Sequence, residues 1–168
     1  MIGSLGLLKQ RRFLPLFVTQ FQGAFNDNLF KNAMIFFATY QIFNSVEDET
    51  RFSAIATGIF ILPFFLFSAL AGQLADSYDK TRIMRIIKFA EILIMLVGAT
   101  GIFLHSLELM LVALVGMGVH SSFFGPIKYA ILPQHLERDD VLGGTGMVEA
   151  GTYIAILGGT IVGGVISP

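Results

Sequence analysis

In the first hydrophobic stretch of the chain, Gln20, Gly23, Asp27 and Lys31 recur at intervals of three and four residues. That spacing places them on one face of a helix. At 1.5 Å per residue, Asp27 falls roughly 21 Å along the helix from Phe13, near or slightly past the middle of a bilayer. An ionisable group there costs about 2.5–3.5 kcal/mol on insertion scales, so it needs compensation. Asp27 and Lys31 stand at i and i+4, where they can pair. Asn26 and Asn28 flank the carboxylate and bring further donors and acceptors. Two uses fit this set: hydrogen bonds that hold neighbouring helices together, or a polar face on a cavity that meets a substrate or a coupling ion.

A second polar set interrupts the fourth hydrophobic stretch, at His120, Ser121, Ser122, Gly125, Pro126 and Lys128. Pro126 lacks an N–H and so frees a carbonyl near Ser122. Ser121 is a candidate for the same polar cavity. Lys128 lies roughly 31 Å along its helix from Leu107, close enough to the membrane surface to snorkel. Glu149, early in the fifth stretch, is its expected partner. His120 reads as a hydrogen-bonded core residue, and Glu91 as a local partner of Arg85 and Lys88 near the inner interface, outside the site. His105, His120 and His135 show no ligand spacing, and the carboxylates show no nucleophile–base arrangement. Cysteine is absent, which removes thiolate ligands and thiol nucleophiles. No metal, cofactor or enzymatic step is expected.

The elements that must position these groups are membrane helices. Of the 168 residues, 54% are hydrophobic and only 14% charged, against about a quarter charged in ordinary soluble domains. A net charge of −1 gives no bulk attraction to nucleic acid. Five stretches are long enough to cross a bilayer as helices: Phe13 to Phe43, Phe52 to Ala75, Ile83 to Leu104, Leu107 to Leu132, and Gly143 to Ile166. The first follows Lys9, Arg11 and Arg12 as a signal peptide would, but no small-residue cleavage site ends it, so it reads as a retained helix. Gly151, Ala155, Gly159 and Gly163 form a close-packing stripe on the fifth stretch.

Basic residues set the orientation. Lys9, Arg11 and Arg12 precede the first stretch, Lys80, Arg82, Arg85 and Lys88 surround the second joint, and Arg138 lies in the fourth. The other joints are acidic or neutral apart from Arg51, which puts the N-terminus in the cytoplasm. The odd number of stretches, and an end at Ser167-Pro168 directly after an apolar run, lead us to expect that the natural chain continues.

The second joint combines Gly72, an aspartate four residues on at Asp76, and then Lys80 and Arg82. This resembles the signature between helices 2 and 3 of the major facilitator superfamily, although Ser77, Asp79 and Thr81 depart from it. The strings Gln20 to Asn28, Gly125 to Pro133 and Gly146 to Ala150, in that order, are similar to the bacterial lysophospholipid transporter branch of the superfamily. The resemblance covers nearly all 168 residues.

The resemblance implies an all-α membrane protein, with residues 1–168 forming the first five helices of a twelve-helix bundle built from three-helix repeats. It implies a multi-pass protein of the bacterial inner membrane that moves lysophospholipid by alternating access, in contact with membrane lipids and with the remaining helices of the same transporter. Helices 1 and 4 would line the path, so Gln20, Asn26, Asp27, Asn28, Lys31 and Ser121 are the expected substrate residues. Gly72, Asp76, Lys80, Arg82, Lys128 and Glu149 are the expected gating and structural residues, with Asp76 bracing the inward-facing gate. The fatty chain would lie along phenylalanine-rich faces such as Phe60, Phe64, Phe65 and Phe67, or these would simply face lipid. Some relatives are fused to acyltransferase and acyl-carrier-protein synthetase domains. A transporter of a drug, sugar or metabolite on the same fold is the alternative, because fold does not fix substrate.

Overall fold

The computed structural model describes residues 4–43 and 45–166; Ser167 and Pro168, on which the expected continuation rests, lie outside them. After a short 3-10 turn over Ser4–Lys9 come α1 (Leu14–Gln41), α2 (Val46–Ser77), α3 (Lys80–Phe103), α4 (Leu107–Ala130), the one-turn α5 (Leu132–His135) and α6 (Val141–Ile166). No strand occurs among the described residues. The fold is an all-α membrane bundle.

Local chemistry sets the helix ends. Ser45 caps α2, accepting from the Asp48 amide at 3.2 Å and donating its hydroxyl to the Asp48 carboxylate at 2.7 Å. Glu47, Asp48 and Glu49 then sit in the first turn, where the helix dipole favours acids. The acidic segment expected to be a joint is therefore part of α2. Asp79 caps α3 through the Arg82 amide at 2.7 Å. The α3–α4 turn closes with Ser106 N–H on Gly101 C=O (2.8 Å) and His105 N–H on Ile102 C=O (3.2 Å). This is the paired bonding of a Schellman motif, and it leaves His105 at φ 53°. Helix α4 runs through Pro126 without a break.

Among the described residues, four helices are long and apolar enough to cross a membrane: α2, α3, α4 and α6. At 28 residues α1 has the length, but its run of Gln, Asn, Asp and Lys lowers its hydropathy. That composition requires α1 to be covered by its neighbours. It packs along α6 and makes smaller contacts with α2 and α4, while α2 and α3 both pack along α4.

Small residues allow the α1–α6 contact. A Cβ on Gly163 would come within 2.8 Å of the Leu29 carbonyl, and one on Gly159 would lie 3.0 Å from the Leu29 amide. Between membrane helices, packing and hydrogen bonding replace the hydrophobic drive, so this backbone approach is what joins them.

Apolar clusters flank a polar tier. One cluster joins Phe30, Met34, Phe52, Met110, Leu114 and Met117. Toward the other end, Phe13, Leu16, Leu132, Leu136 and Val148 form a second, and Ala75, Ile83, Ile87, Phe124 and Ile127 a third. On α1 the buried Gln20 and Asp27 fall between Leu16 and Phe30; on α4 the buried His120 falls between Met117 and Phe124.

Candidate functional site

Gln20 and Asp27 lie two turns apart on the buried face of α1 and are 2% and 6% exposed. They line a cavity of about 260 Å³ with Lys88 of α3, His120, Ser121 and Lys128 of α4, and Thr152 of α6. Phe60, Phe64 and Phe124 supply apolar wall. Polar side chains of four helices thus meet in one cavity.

Two chains of polar contacts run through it. In the first, Ser121 donates its hydroxyl to Asp27 Oδ2. Ser121 Oγ lies 3.3 Å from His120 Nδ1, and His120 Nε2 lies 3.2 Å from Glu91 Oε2. Lys88 Nζ reaches that same carboxylate oxygen at 2.6 Å. In the second, Lys128 Nζ donates to Thr152 Oγ1 at 3.3 Å, and the Thr152 hydroxyl lies 2.8 Å from Gln20 Oε1. Asp27 Oδ1 and Gln20 Nε2 remain buried without a hydrogen-bond partner among the described residues. A buried unpaired polar atom costs about 1–3 kcal/mol, so these are an acceptor and a donor available to a ligand.

Lys31 does not pair with Asp27: its Nζ lies 5.4 Å from the centre of the Phe60 ring, a cation–π position. Asn26 turns the other way, its amide 2.7 Å from Met95 Sδ. Asn28 bonds back to the Ala24 carbonyl at 2.9 Å while also lining the cavity. The expected Lys128–Glu149 ion pair is replaced, because Lys128 binds Thr152 and Glu149 accepts the Tyr129 hydroxyl. Phe60 and Phe64 face the cavity, Phe67 stacks on Phe123 with ring centres 5.8 Å apart, and Phe65 is 79% exposed.

At the α2–α3 joint, Asp76 is exposed, and a Cβ on Gly72 would meet nothing within 4 Å. Lys80 begins α3, and the Arg82 backbone completes the Asp79 cap. None of these four lines the cavity.

Glu91 and Lys88, which the sequence reading left outside the site, join the network through His120, which is buried as expected of a core residue. Lys88 and Glu91, three residues apart in α3, do pair locally as expected, but the pair turns inward onto α4. A Cβ on Gly23 would lie 2.6 Å from Lys88 Nζ, so that glycine leaves room for the ammonium beside α1. Thr152 carried no signal, as one of three threonines spread along an apolar helix.

The fold is thus an all-α membrane bundle with a polar cavity between its helices, lined by the charged side chains Asp27, Lys88 and Lys128. Residues 16–168 match the family model of the Major Facilitator Superfamily, and the chain belongs to that family. It is 32% identical over 154 residues to proteins named Lysophospholipid transporter LplT from Salmonella paratyphi B and Salmonella newport. The match covers 92% of this chain and 36% of those relatives, so the chain spans about a third of their length. No solved structure matches it.

Proposed function

We propose that this chain supplies the substrate-binding helices of a transporter that moves lysophospholipid across the bacterial inner membrane by alternating access, with its N-terminus in the cytoplasm and further helices completing the bundle. The observation that carries the reading is the cavity's mixed chemistry. Asp27 Oδ1 offers an unpaired acceptor and Gln20 Nε2 an unpaired donor, with the ammonium groups of Lys88 and Lys128 alongside and phenylalanines on the wall. A polar headgroup with both an anionic phosphate and hydrogen-bond donors fits that set, and an attached apolar chain fits the aromatic surface. The relatives' printed name supports the same substrate class. The α2–α3 joint, with Gly72, Asp76, Lys80 and Arg82, is the gate-bracing element on this reading, and Lys128 holds α6 to α4 through Thr152.

The test uses the full-length protein in spheroplasts lacking their own lysophospholipid uptake. Labelled lysophosphatidylethanolamine should reach the inner leaflet with the wild type and fail to do so with Asp27→Asn at equal membrane insertion. No uptake by a well-inserted wild type would leave a family member with some other substrate, such as a drug, sugar or metabolite.

A further inference from the structure

We propose that Glu91 and Asp27 form a two-carboxylate proton relay, joined through His120 and Ser121. The inference deepens the transport reading, and rests on it only for what the proton does. Each link is a contact between neighbours: Glu91 Oε2 to His120 Nε2 at 3.2 Å, His120 Nδ1 to Ser121 Oγ at 3.3 Å, and the Ser121 hydroxyl to Asp27 Oδ2. His120 is 6% exposed and Asp27 6%, so neither exchanges protons freely with bulk water. His120 Nε2 lies within ion-pair distance of Glu91 without the alignment of a formed hydrogen bond, and a small turn of the ring completes it.

The step balances. A protonated Glu91 gives its proton to His120 Nε2, His120 Nδ1 gives its own to Ser121 Oγ, and the Ser121 hydroxyl proton passes to Asp27 Oδ2. One proton moves from Glu91 to Asp27; the serine is regenerated and the imidazole changes tautomer. Glu91 is left as a carboxylate beside the Lys88 ammonium, 2.6 Å away, which holds the charge. In the reverse direction Asp27 regains its charge while Glu91 becomes neutral. The charged groups facing His120 are Asp27 from α1, Lys88 and Glu91 from α3, and Lys128 farther along α4 in the same cavity; α2 and α6 present Phe60, Phe64 and Thr152 to it.

The relay also connects two spaces. Asp27 lines the inner cavity, whereas Glu91 lines a separate groove of about 590 Å³ between α1 and α3, with Gly23 and Lys88 on both. A proton entering at Glu91 therefore reaches Asp27 along the cavity wall, through His120 and Ser121. Asp27 can then alternate between a charged acceptor and a neutral group that releases its ligand.

Infrared titration of the full-length protein in lipid reads the carboxyl C=O bands, with the Asp27 band assigned by Asp27→Asn and the Glu91 band by Glu91→Gln. Across the pH titration the two wild-type bands should change in one shared transition. In Ser121→Ala, and separately in His120→Gln, that coupling should be lost and the bands should titrate apart. A purely structural role for His120 would leave the shared transition in place. Shared titration surviving either variant, or no protonated carboxyl band in the wild type, would overturn the relay. Coupled bands in a protein that takes up no lysophospholipid would sustain the relay and defeat the substrate assignment alone.

Discussion

Ser121 of α4 donates its hydroxyl to Asp27 of α1 across 94 residues of sequence, and this contact fixes how the carboxylate faces the cavity. With Oδ2 held by the serine, Oδ1 is the oxygen left for a ligand. The α1–α4 contact is small beside α1–α6, so this single polar link orients the site.

Its removal should be measurable in stability. Ser121→Ala leaves a buried carboxylate oxygen without its donor, and interhelical hydrogen bonds in membranes contribute about 0.6–1.7 kcal/mol. A loss of about 1 kcal/mol in unfolding free energy in detergent is expected. No loss would show that another group takes over the carboxylate.

Gly23→Ala tests whether the inward-turned Lys88 matters. The new Cβ would stand 2.6 Å from Lys88 Nζ and force the ammonium away, disturbing its 2.6 Å bond to Glu91. Membrane insertion should be unchanged while lysophospholipid uptake falls; wild-type uptake would mean that the pair can re-form elsewhere without consequence.

Helix α6 offers a contrast between Gly159 in the packing stripe and Gly146 outside it. Gly159→Ala drives a methyl group into the α1 backbone, and such overpacking costs about 1–3 kcal/mol. Gly146→Ala has nothing within 4 Å of the new carbon and should gain up to about 1 kcal/mol from helix propensity. Thermal unfolding of the two variants should move in opposite directions.

At the α3–α4 turn, His105 holds φ 53° and stacks on Phe37 with ring centres 5.4 Å apart. His105→Val places a β-branched residue in the left-handed region and should cost about 1–2 kcal/mol. His105→Gly should be nearly neutral, because relief of the backbone offsets the lost ring contact. Equal effects of the two changes would show that stacking, not backbone conformation, dominates the turn.

The polar face of α1 was legible in sequence because helical spacing alone brings Gln20, Gly23 and Asp27 together, and the cavity lies on that face. The α6 stripe was legible for the same reason. Partners across helices were not. Asp27 and Lys31 stand at pairing distance in sequence, yet Lys31 moves to the Phe60 ring. Lys128 was assigned Glu149 by charge, but Thr152 and Tyr129 take the two groups. Glu91 had a sufficient local explanation in Lys88, three residues away, which hid its approach to His120 from α4. The start of α2 was misplaced because charge suggested a loop, whereas acids after a serine cap favour a first helical turn.

The central claim is that the cavity between α1, α4 and α6 receives lysophospholipid, and its most direct test is protection of a single thiol. These 168 residues contain no cysteine, and Gly125 lines the cavity with open space for a side chain. In the full-length protein, with any cysteine elsewhere replaced, Gly125→Cys is alkylated with and without lysophosphatidylethanolamine, beside Gly72→Cys outside the cavity. Slower alkylation at position 125 alone when the lipid is present is the predicted result. Equal alkylation at position 125 with saturating lipid would contradict the site.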